Sequence, residues 1–247
     1  SGHGTPMDHW SRALPDIAVM APVFTYDRPG VGKSPALDYE PTAENVANNL
    51  VNVLGRAGIP PPYILVGHSL GGAYVRGFTN YYPEYLSGLV IIDPADFTER
   101  LTDRPAYYTG LGLAPGEVDS LINFFVARRE RRHADSPDPI RREGEVLEAM
   151  RRNDFTSLNA TPLPNIPVHF LVGGRFDLPS KFHSKTYNDE QLFRTKISRR
   201  VTRWLDLVQQ VDKGMLFYAG QAGHFVHHDQ PELLVSSIEI ILKELKK

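Results

Sequence analysis

One serine of this sequence stands where it could act as a nucleophile. Ser69 is the centre of a Gly-x-Ser-x-Gly pattern at residues 67–71, which follows the apolar run 63–66 and precedes a helix-compatible stretch. A tight turn between strand and helix lifts the serine hydroxyl out of a sheet, and small glycines let the two backbones approach. The pattern also fits a serine that merely starts a helix, but the buried strand before it and the extra glycine after it, Gly72, favour the nucleophile.

A serine nucleophile needs a base that removes its proton and donors that stabilise the oxyanion formed by attack on a carbonyl. Of the nine histidines, His224 differs because it follows the last predicted strand, in a glycine-flanked loop before a helix. Asp177 lies just past an earlier strand end, where a carboxylate could orient the imidazole. Asp93 also follows a strand and is an alternative, although we favour its interpretation as a turn or helix-capping aspartate before Pro94.

Hydrophobic patterning predicts strands that alternate with helices. Short apolar runs predict strands at 21–26, 63–66, 86–92, 167–172 and 214–218, and helical spacing predicts helices at 42–57, 191–210 and after Pro231. This alternation is typical of an α/β fold with a mostly parallel sheet flanked by helices. Since open α/β sheets place their sites at the carboxyl ends of the strands, we expect the candidate residues to meet there.

The segment 97–164 interrupts the alternation. It has no strong strand pattern, and helices are predicted at 117–132 and 141–153. We expect a core formed by 1–96 and 165–247, and a helical lid formed by 97–164 that covers the site. The many arginines of the insertion alternate with acidic residues, which indicates a solvated, ion-paired face rather than an anion-binding patch.

The composition excludes several classes of protein. With 247 residues, 41% of them hydrophobic, and a formal net charge of −2, the chain fits one soluble domain without a basic surface for nucleic acid. No apolar run approaches a membrane span, and the lack of cysteine excludes disulfides and thiolate catalysis. We expect a small-molecule substrate. We favour a cytoplasmic location, although zero cysteines do not fix the compartment.

Two patterns suggest a ligand and are set aside. Residues 32–34 end like a phosphate-binding loop, but the required first glycine falls on Asp27, and Pro35 blocks entry into a helix. Two histidines and an aspartate at 227–229, close to His224, could suggest a metal site. A loop would not gather them on one helical face, so we expect neither a metal nor a cofactor.

Together these motifs resemble the α/β-hydrolase fold family, over nearly the whole chain. The segments that carry the resemblance are Gly4-Thr5 as the oxyanion loop, 26–34 as the loop after the fourth strand, 67–72 as the elbow, and 223–225 with 230–232 as the histidine loop and final helix. The order Ser69, Asp177, His224 is also that of the family.

The resemblance implies a role for each candidate residue. Ser69 would be the nucleophile, His224 the general base and then acid, and Asp177 the residue that orients the imidazole. The backbone N–H groups of Leu70 and Thr5 would form the oxyanion hole. For Thr5 the matching position stays open, since Gly4 or His3 could occupy it.

One departure from the family concerns the start of the chain. In the family the oxyanion loop follows a strand that lies inside the sheet, next to the elbow strand, and here nothing precedes the loop. A gap in that place would expose a row of unpaired backbone groups in the centre of the protein. We therefore expect the first strands of the fold to be missing from this chain, and a removed N-terminal segment or another chain to complement it.

The expected activity is that of a carboxylesterase-like serine hydrolase, which cleaves an ester or related acyl bond through a Ser-His-Asp triad and an acyl-enzyme. The same triad could also carry out C–C bond hydrolysis, acyl transfer or perhydrolysis. A non-hydrolytic ligand receptor on the same fold is a further alternative. Relatives that open epoxides or cleave carbon–halogen bonds use aspartate at the elbow, and Ser69 argues against both.

Overall fold

The computed structural model describes residues 1–246, in which strands and helices alternate as the patterning predicts. Within these residues one parallel sheet has the strand order β1-β2-β3-β4. Its strands are β1 (Tyr63–His68), β2 (Leu86–Ile92), β3 (Val168–Gly173) and β4 (Gly214–Ala219). Lys247, the last residue of the expected core range 165–247, lies outside the described residues.

Helices cover both faces of this sheet. The α-helices of residues 1–246 are α1 (Leu14–Met20), α2 (Ala43–Arg56), α3 (Leu70–Phe78), α4 (Arg104–Thr109), α5 (Pro115–Ala134), α6 (Asp138–Arg152), α7 (Asp189–Val208), α8 (Val226–Asp229) and α9 (Pro231–Glu244). Helix α2 is capped by Thr42, whose side chain accepts a hydrogen bond from Asn45 N. None of the helices within residues 1–246 combines the length and the hydrophobicity of a membrane span.

The core has two layers, one on each face of the sheet. Helices α2, α3 and α7 bury apolar side chains on one face, where Phe170 of β3 packs against Trp204 with ring centroids 5.2 Å apart. Helices α1 and α9 cover the other face, where Ile92 and Leu171 are fully buried. A strand covered on both faces must be apolar along its whole length, which explains the continuous apolar run of β2.

The strand predicted at 21–26 does not join the sheet, and that prediction was wrong. The segment runs without a strand ladder, and β1 is an edge strand whose only strand partner within residues 1–246 is β2. Between the segment and β1 lies a cavity of about 900 Å³ with mostly apolar walls, among them Phe24, Leu65 and Leu234. Within residues 1–246 no strand lies beside this segment to pair with it, so the sheet ends at β1.

Helices α4 to α6 form the insertion between β2 and β3. Their charged side chains are paired as expected: Arg129 Nε lies 3.1 Å from Glu148 Oε1, and Arg152 lies 3.5 Å from Glu130. Glu148 is buried, and its carboxylate also contacts Arg151. Some arginines therefore stabilise the interior of the insertion through the buried Glu148, whereas others form ion pairs on its surface.

Candidate active site

Ser69 lies on the tight turn between β1 and α3. Its backbone angles are φ 54° and ψ −119°, a combination with positive φ that L-residues seldom adopt. The turn is held by a hydrogen bond from Ser69 N to Ile92 O at 3.0 Å. A Cβ atom on Gly67 would lie 2.3 Å from Gly71 O, so the close approach predicted for these two glycines is present. Backbone strain of this kind is concentrated at functional sites.

The N-terminus of α3 offers a donor beside the serine. Gly72 N donates to Ser69 O at 3.0 Å, whereas the N–H of Leu70 has no hydrogen-bond partner in the described residues. A free N–H in the first turn of a helix points outward from its N-terminus and favours negative charge. Leu70 therefore has the geometry of an oxyanion donor.

His224 is bonded to a carboxylate, and that carboxylate belongs to Asp93. His224 Nδ1 makes a very short contact with Asp93 Oδ2. Asp93 directly follows β2, has a left-handed backbone at φ 34° and is only 5% exposed. Because the ionised carboxylate can only accept, Nδ1 must carry the proton, and Nε2 of the neutral ring keeps its lone pair for a substrate-side proton.

Asp177 lies elsewhere in the hydrogen-bond network. Its carboxylate accepts a hydrogen bond from Nε of Arg175 at 2.6 Å, and its side chain is half exposed. Arg175 also bridges to Asp229 at 2.9 Å. The structure thus brings Asp93, rather than the sequence-predicted Asp177, to the imidazole of His224. The sequence signal for Asp93 was its place after β2. Asp93 lies closer to the elbow than Asp177 because β2 is the neighbour of β1, and that strand order is a property of the folded sheet.

Ser69 and His224 are not hydrogen bonded to each other in this structure. Ser69 is half-buried, and the side chain of His224 is 46% exposed. The loop that carries His224 is held to the end of β1, because Nε2 of the buried His68 donates to His224 O at 3.0 Å. Burial, together with the neighbouring His224 and His227, lowers the pKa of His68 far below its usual range, so this ring is neutral.

Segment 1–5 closes the other side of the elbow. A Cβ atom on Gly2 would lie 3.3 Å from Ser69 Cβ, so this backbone runs directly against the serine. Two N–H groups of the segment are occupied: Thr5 N donates to Gly2 O at 3.3 Å, and Gly4 N donates to Glu143 Oε2 at 2.9 Å. The N–H of His3 has no partner among the described residues.

A buried ion pair fixes this segment. Arg28 Nε donates to Glu143 Oε1 at 2.7 Å, while its two terminal nitrogens donate to Ser1 O and Gly2 O, each at 2.7 Å. Both charged side chains are almost fully buried. Glu143 belongs to α6, so the pair ties the backbone beside the nucleophile to the helical insertion. Sequence reasoning missed this pair, since the two residues are 115 positions apart.

A second charged cluster supports Asp93 from the side of α7. Arg200 Nη1 lies 3.2 Å from Asp93 Oδ1, and Arg200 and Arg203 both contact Asp96. Burial alone would raise the pKa of Asp96, but the two guanidinium groups outweigh it and hold that pKa below its usual range. Arg200 thus places a positive charge beside one carboxylate oxygen of Asp93, while the other oxygen contacts His224.

Curated relatives match parts of the chain. An uncharacterised protein, YqjL of Bacillus subtilis (strain 168), is 34% identical over 95 residues, which are 38% of this chain and 38% of that protein. A protein named 1-acylglycerol-3-phosphate O-acyltransferase ABHD5, from Rattus norvegicus, is 30% identical over 135 residues, 51% of this chain and 38% of that protein. The matches therefore span little more than a third of these relatives' own length.

Solved structures match the fold across the whole chain. An epoxide hydrolase, CorEH, superposes with a TM-score of 0.62 at 17% identity, over 99% of this chain and 89% of that one. An esterase from Thermogutta terrifontis superposes with a TM-score of 0.57 at 17% identity, over 98% and 87% of the two chains. The sequence model of the alpha/beta hydrolase family matches residues 2–237. The chain belongs to the alpha/beta hydrolase family.

Proposed function

We propose that this chain is a serine hydrolase that cleaves an ester or related acyl bond of a small molecule through an acyl-enzyme. One observation carries the proposal: the strained elbow presents Ser69 at the same sheet edge as the hydrogen-bonded pair of His224 and Asp93. Ser69 and Asp93 follow the neighbouring strands β1 and β2, which pair in parallel up to His68 and Ile92. This is the arrangement that nucleophilic acyl transfer requires.

In the proposed reaction Nε2 of His224 removes the Ser69 proton as Oγ attacks the substrate carbonyl. The imidazolium formed is stabilised by Asp93 and then protonates the leaving group, which leaves an acyl-enzyme. A water molecule, deprotonated by the same nitrogen, attacks the acyl carbon and releases the acid. The missing hydrogen bond between Ser69 and His224 does not oppose this role, because catalytic hydrogen bonds often tighten only when substrate is bound. No cofactor enters any step.

Two backbone N–H groups would hold the oxyanion. Leu70 supplies the first, since its N–H is free at the start of α3. The second comes from segment 3–5, where Thr5 is the predicted donor and must exchange its 3.3 Å bond to Gly2 O for the oxyanion. That bond is longer than the usual range of about 2.7–3.2 Å for N–H···O hydrogen bonds and is therefore weak, so the exchange costs little. Each donor is worth roughly 100- to 1,000-fold in turnover.

We assign the orienting role to Asp93 and a surface role to Asp177. The insertion 97–164 would form the lid over the core 1–96 and 165–247, held to the site through Glu143. Two observations support this division. Helices α5 and α6 contact each other, and Glu143 of α6 accepts hydrogen bonds from Gly4 N and from Arg28, which in turn donates to segment 1–5.

Labelling with a fluorophosphonate tests the nucleophile without knowledge of the substrate. We expect stoichiometric labelling at Ser69 and hydrolysis of a short-chain 4-nitrophenyl ester by the same preparation. Ser69→Ala and His224→Ala should each abolish turnover, and Ser69→Ala should also abolish labelling. The matched controls are Ser120→Ala, an exposed serine of α5, and His183→Ala, an exposed histidine. Turnover that survives in either active-site variant would contradict the assignment, and labelling without turnover of any ester would favour the receptor alternative.

Acyl transfer is the second candidate, because a relative that matches half of the chain is named an O-acyltransferase. It would use the same acyl-enzyme, with an alcohol replacing water as the acceptor. Product analysis in the presence of graded alcohol acceptors separates the two reactions. A hydrolase gives the free acid with every acceptor, whereas a transferase gives predominantly the new ester.

A further inference from the structure

A cluster of three histidines lies behind the catalytic histidine loop, and no step of the proposed reaction uses it. His9 belongs to a short 3₁₀ helix, Met7–Trp10, while His227 and His228 belong to α8. One ring nitrogen from each residue lies within 4.8 Å of the other two. The sequence predicts a loop at 227–229 that gathers no ligands. In the structure this segment is a helical turn, and His9 joins it from the other end of the sequence.

The cluster contains buried polar atoms that the described residues leave without partners. His227 is 1% exposed, and neither of its ring nitrogens makes a hydrogen bond. Nδ1 of His9 is also buried and without a partner. An unsatisfied buried polar atom costs about 1–3 kcal/mol, so folded proteins seldom leave several of them side by side. A bound ligand that accepts lone pairs would satisfy one nitrogen of each neutral ring, since the other ring nitrogen carries a proton.

The surroundings suit a cation with nitrogen ligands. Nε2 of His228 donates to the carbonyl oxygen of His9 at 2.6 Å, which fixes the tautomer and leaves Nδ1 with its lone pair. This is the hydrogen bond that metal-binding histidines commonly make with their second ring nitrogen. The nearby carboxylate of Asp229 is already occupied by Arg175 and by Gly223 N, so the donor set is imidazole alone.

We propose that His9, His227 and His228 bind one divalent transition-metal ion of the zinc class, with water in the fourth position. Imidazole ligands favour Zn²⁺, Co²⁺, Ni²⁺ or Cu²⁺ over Mg²⁺ and Ca²⁺, which require oxygen. Tetrahedral zinc with Zn–N bonds of about 2.0–2.1 Å needs nitrogens about 3.3–3.4 Å apart. The present separations of up to 4.8 Å would therefore shorten by up to about 1.5 Å through side-chain rotation when the ion binds.

The ion would link two parts of the site. The turn 7–10 continues directly from segment 1–5, and α8 follows His224. A metal that joins them would hold the backbone beside Ser69 and the histidine loop at a fixed separation. It would be a positioning metal, since none of its ligands contacts the reacting atoms. Its binding does not depend on the proposed hydrolase activity and is measured without a substrate.

Metal titration of the chelator-treated protein, prepared without any polyhistidine tag, tests the proposal. Calorimetry with ZnCl₂ should give one equivalent bound with a dissociation constant in the micromolar range or below, and CoCl₂ should give the visible bands of tetrahedral Co²⁺. His9→Gln and His228→Gln should each weaken binding at least about tenfold. The matched control His183→Gln, which removes an exposed histidine outside the cluster, should bind like the unsubstituted protein.

A measurement on the unsubstituted protein tests the proposal even if the variants fail to fold. In ¹⁵N correlation spectra of the histidine rings, one equivalent of Zn²⁺ should shift the nitrogens of three histidines and leave His183 unchanged. The proposal is overturned if no saturable binding is found up to millimolar metal. It is equally overturned if folded His9→Gln and His228→Gln bind as tightly as the control, or if the shifted rings include His183.

Discussion

The carboxylate that serves His224 can be identified with two matched substitutions, Asp93→Asn and Asp177→Asn. Asparagine keeps the shape of aspartate and tolerates the left-handed backbone of Asp93 at φ 34°, which alanine would not. In Asp93→Asn the amide nitrogen can donate to Nδ1 of His224. That donation favours the tautomer with the proton on Nε2, the nitrogen that must accept the proton of Ser69.

The expected magnitudes are far apart. Replacing the orienting aspartate of a serine triad by asparagine lowers kcat about 10⁴-fold, or roughly 5 kcal/mol at 1.36 kcal/mol for each factor of ten. Asp177 forms an exposed ion pair with Arg175, and solvent screens such pairs so strongly that they contribute little to stability. We therefore expect Asp93→Asn to lose about 10³- to 10⁴-fold in kcat and Asp177→Asn to change it less than about threefold.

The assay is the kcat and KM of each variant for 4-nitrophenyl acetate, with circular dichroism and thermal unfolding as controls for folding. Arg200 keeps Asp96 as a partner at 3.4 Å when the charge of Asp93 is removed, so the variant should fold. A loss of 100-fold or more in Asp177→Asn, with Asp93→Asn within tenfold of the unsubstituted protein, would refute the assignment and restore the sequence-based one.

Three further predictions concern stability. Glu143→Gln leaves a buried guanidinium without its charge partner and should lower the free energy of unfolding by about 3–5 kcal/mol in urea titrations, whereas the exposed Glu145→Gln on the same helix should cost less than about 1 kcal/mol. Gly67→Ala places a Cβ 2.3 Å from a backbone oxygen and should prevent soluble expression or lower Tm sharply. Gly55→Ala, with open space around it in α2, should instead stabilise by up to about 1 kcal/mol, and equal effects of the two would contradict the account. Burial lowers the pKa of His169 from 6.5 to about 4, so the unfolded chain binds more protons than the folded one below pH 6.5. Stability is then lost as the pH falls from 6.5 towards 4, by about 1.4 kcal/mol between pH 7.5 and 5.5. His169→Gln should remove this part of the slope in urea unfolding, and an unchanged slope would count against it.

The elbow could be predicted from the sequence because its signals are local. The spacing of Gly67, Ser69 and Gly71 and the apolar run before them suffice to define the turn. The helices α2, α5, α6 and α7 follow from periodicity for the same reason, with boundaries that differ by up to three residues from those observed.

The partner of His224 could not be predicted in this way. Asp93 and Asp177 both follow strands, and the choice depends on which strand lies beside β1 and on Arg175, which engages Asp177. The ion pair of Arg28 and Glu143 likewise joins residues that no local pattern relates. The strand expected at 21–26 failed for a physical reason, since β-propensity produces a strand only where a partner is present to complete the ladder.

The open edge of β1 has a consequence for how firmly the nucleophile is held. In a parallel strand, successive amide groups point alternately to the two sides, so only every second N–H of β1 donates to β2. The others face the cavity of about 900 Å³ and should exchange with solvent deuterium much faster. Protection along β1 should therefore alternate with a period of two, whereas β2 should be protected throughout the stretch Leu89–Ile92, where it pairs with both neighbours. A strand that paired with the open edge of β1 would protect the remaining N–H groups and remove this alternation. Exchange rates along the six residues of β1 would then report whether the strand that carries Ser69 is paired on both sides.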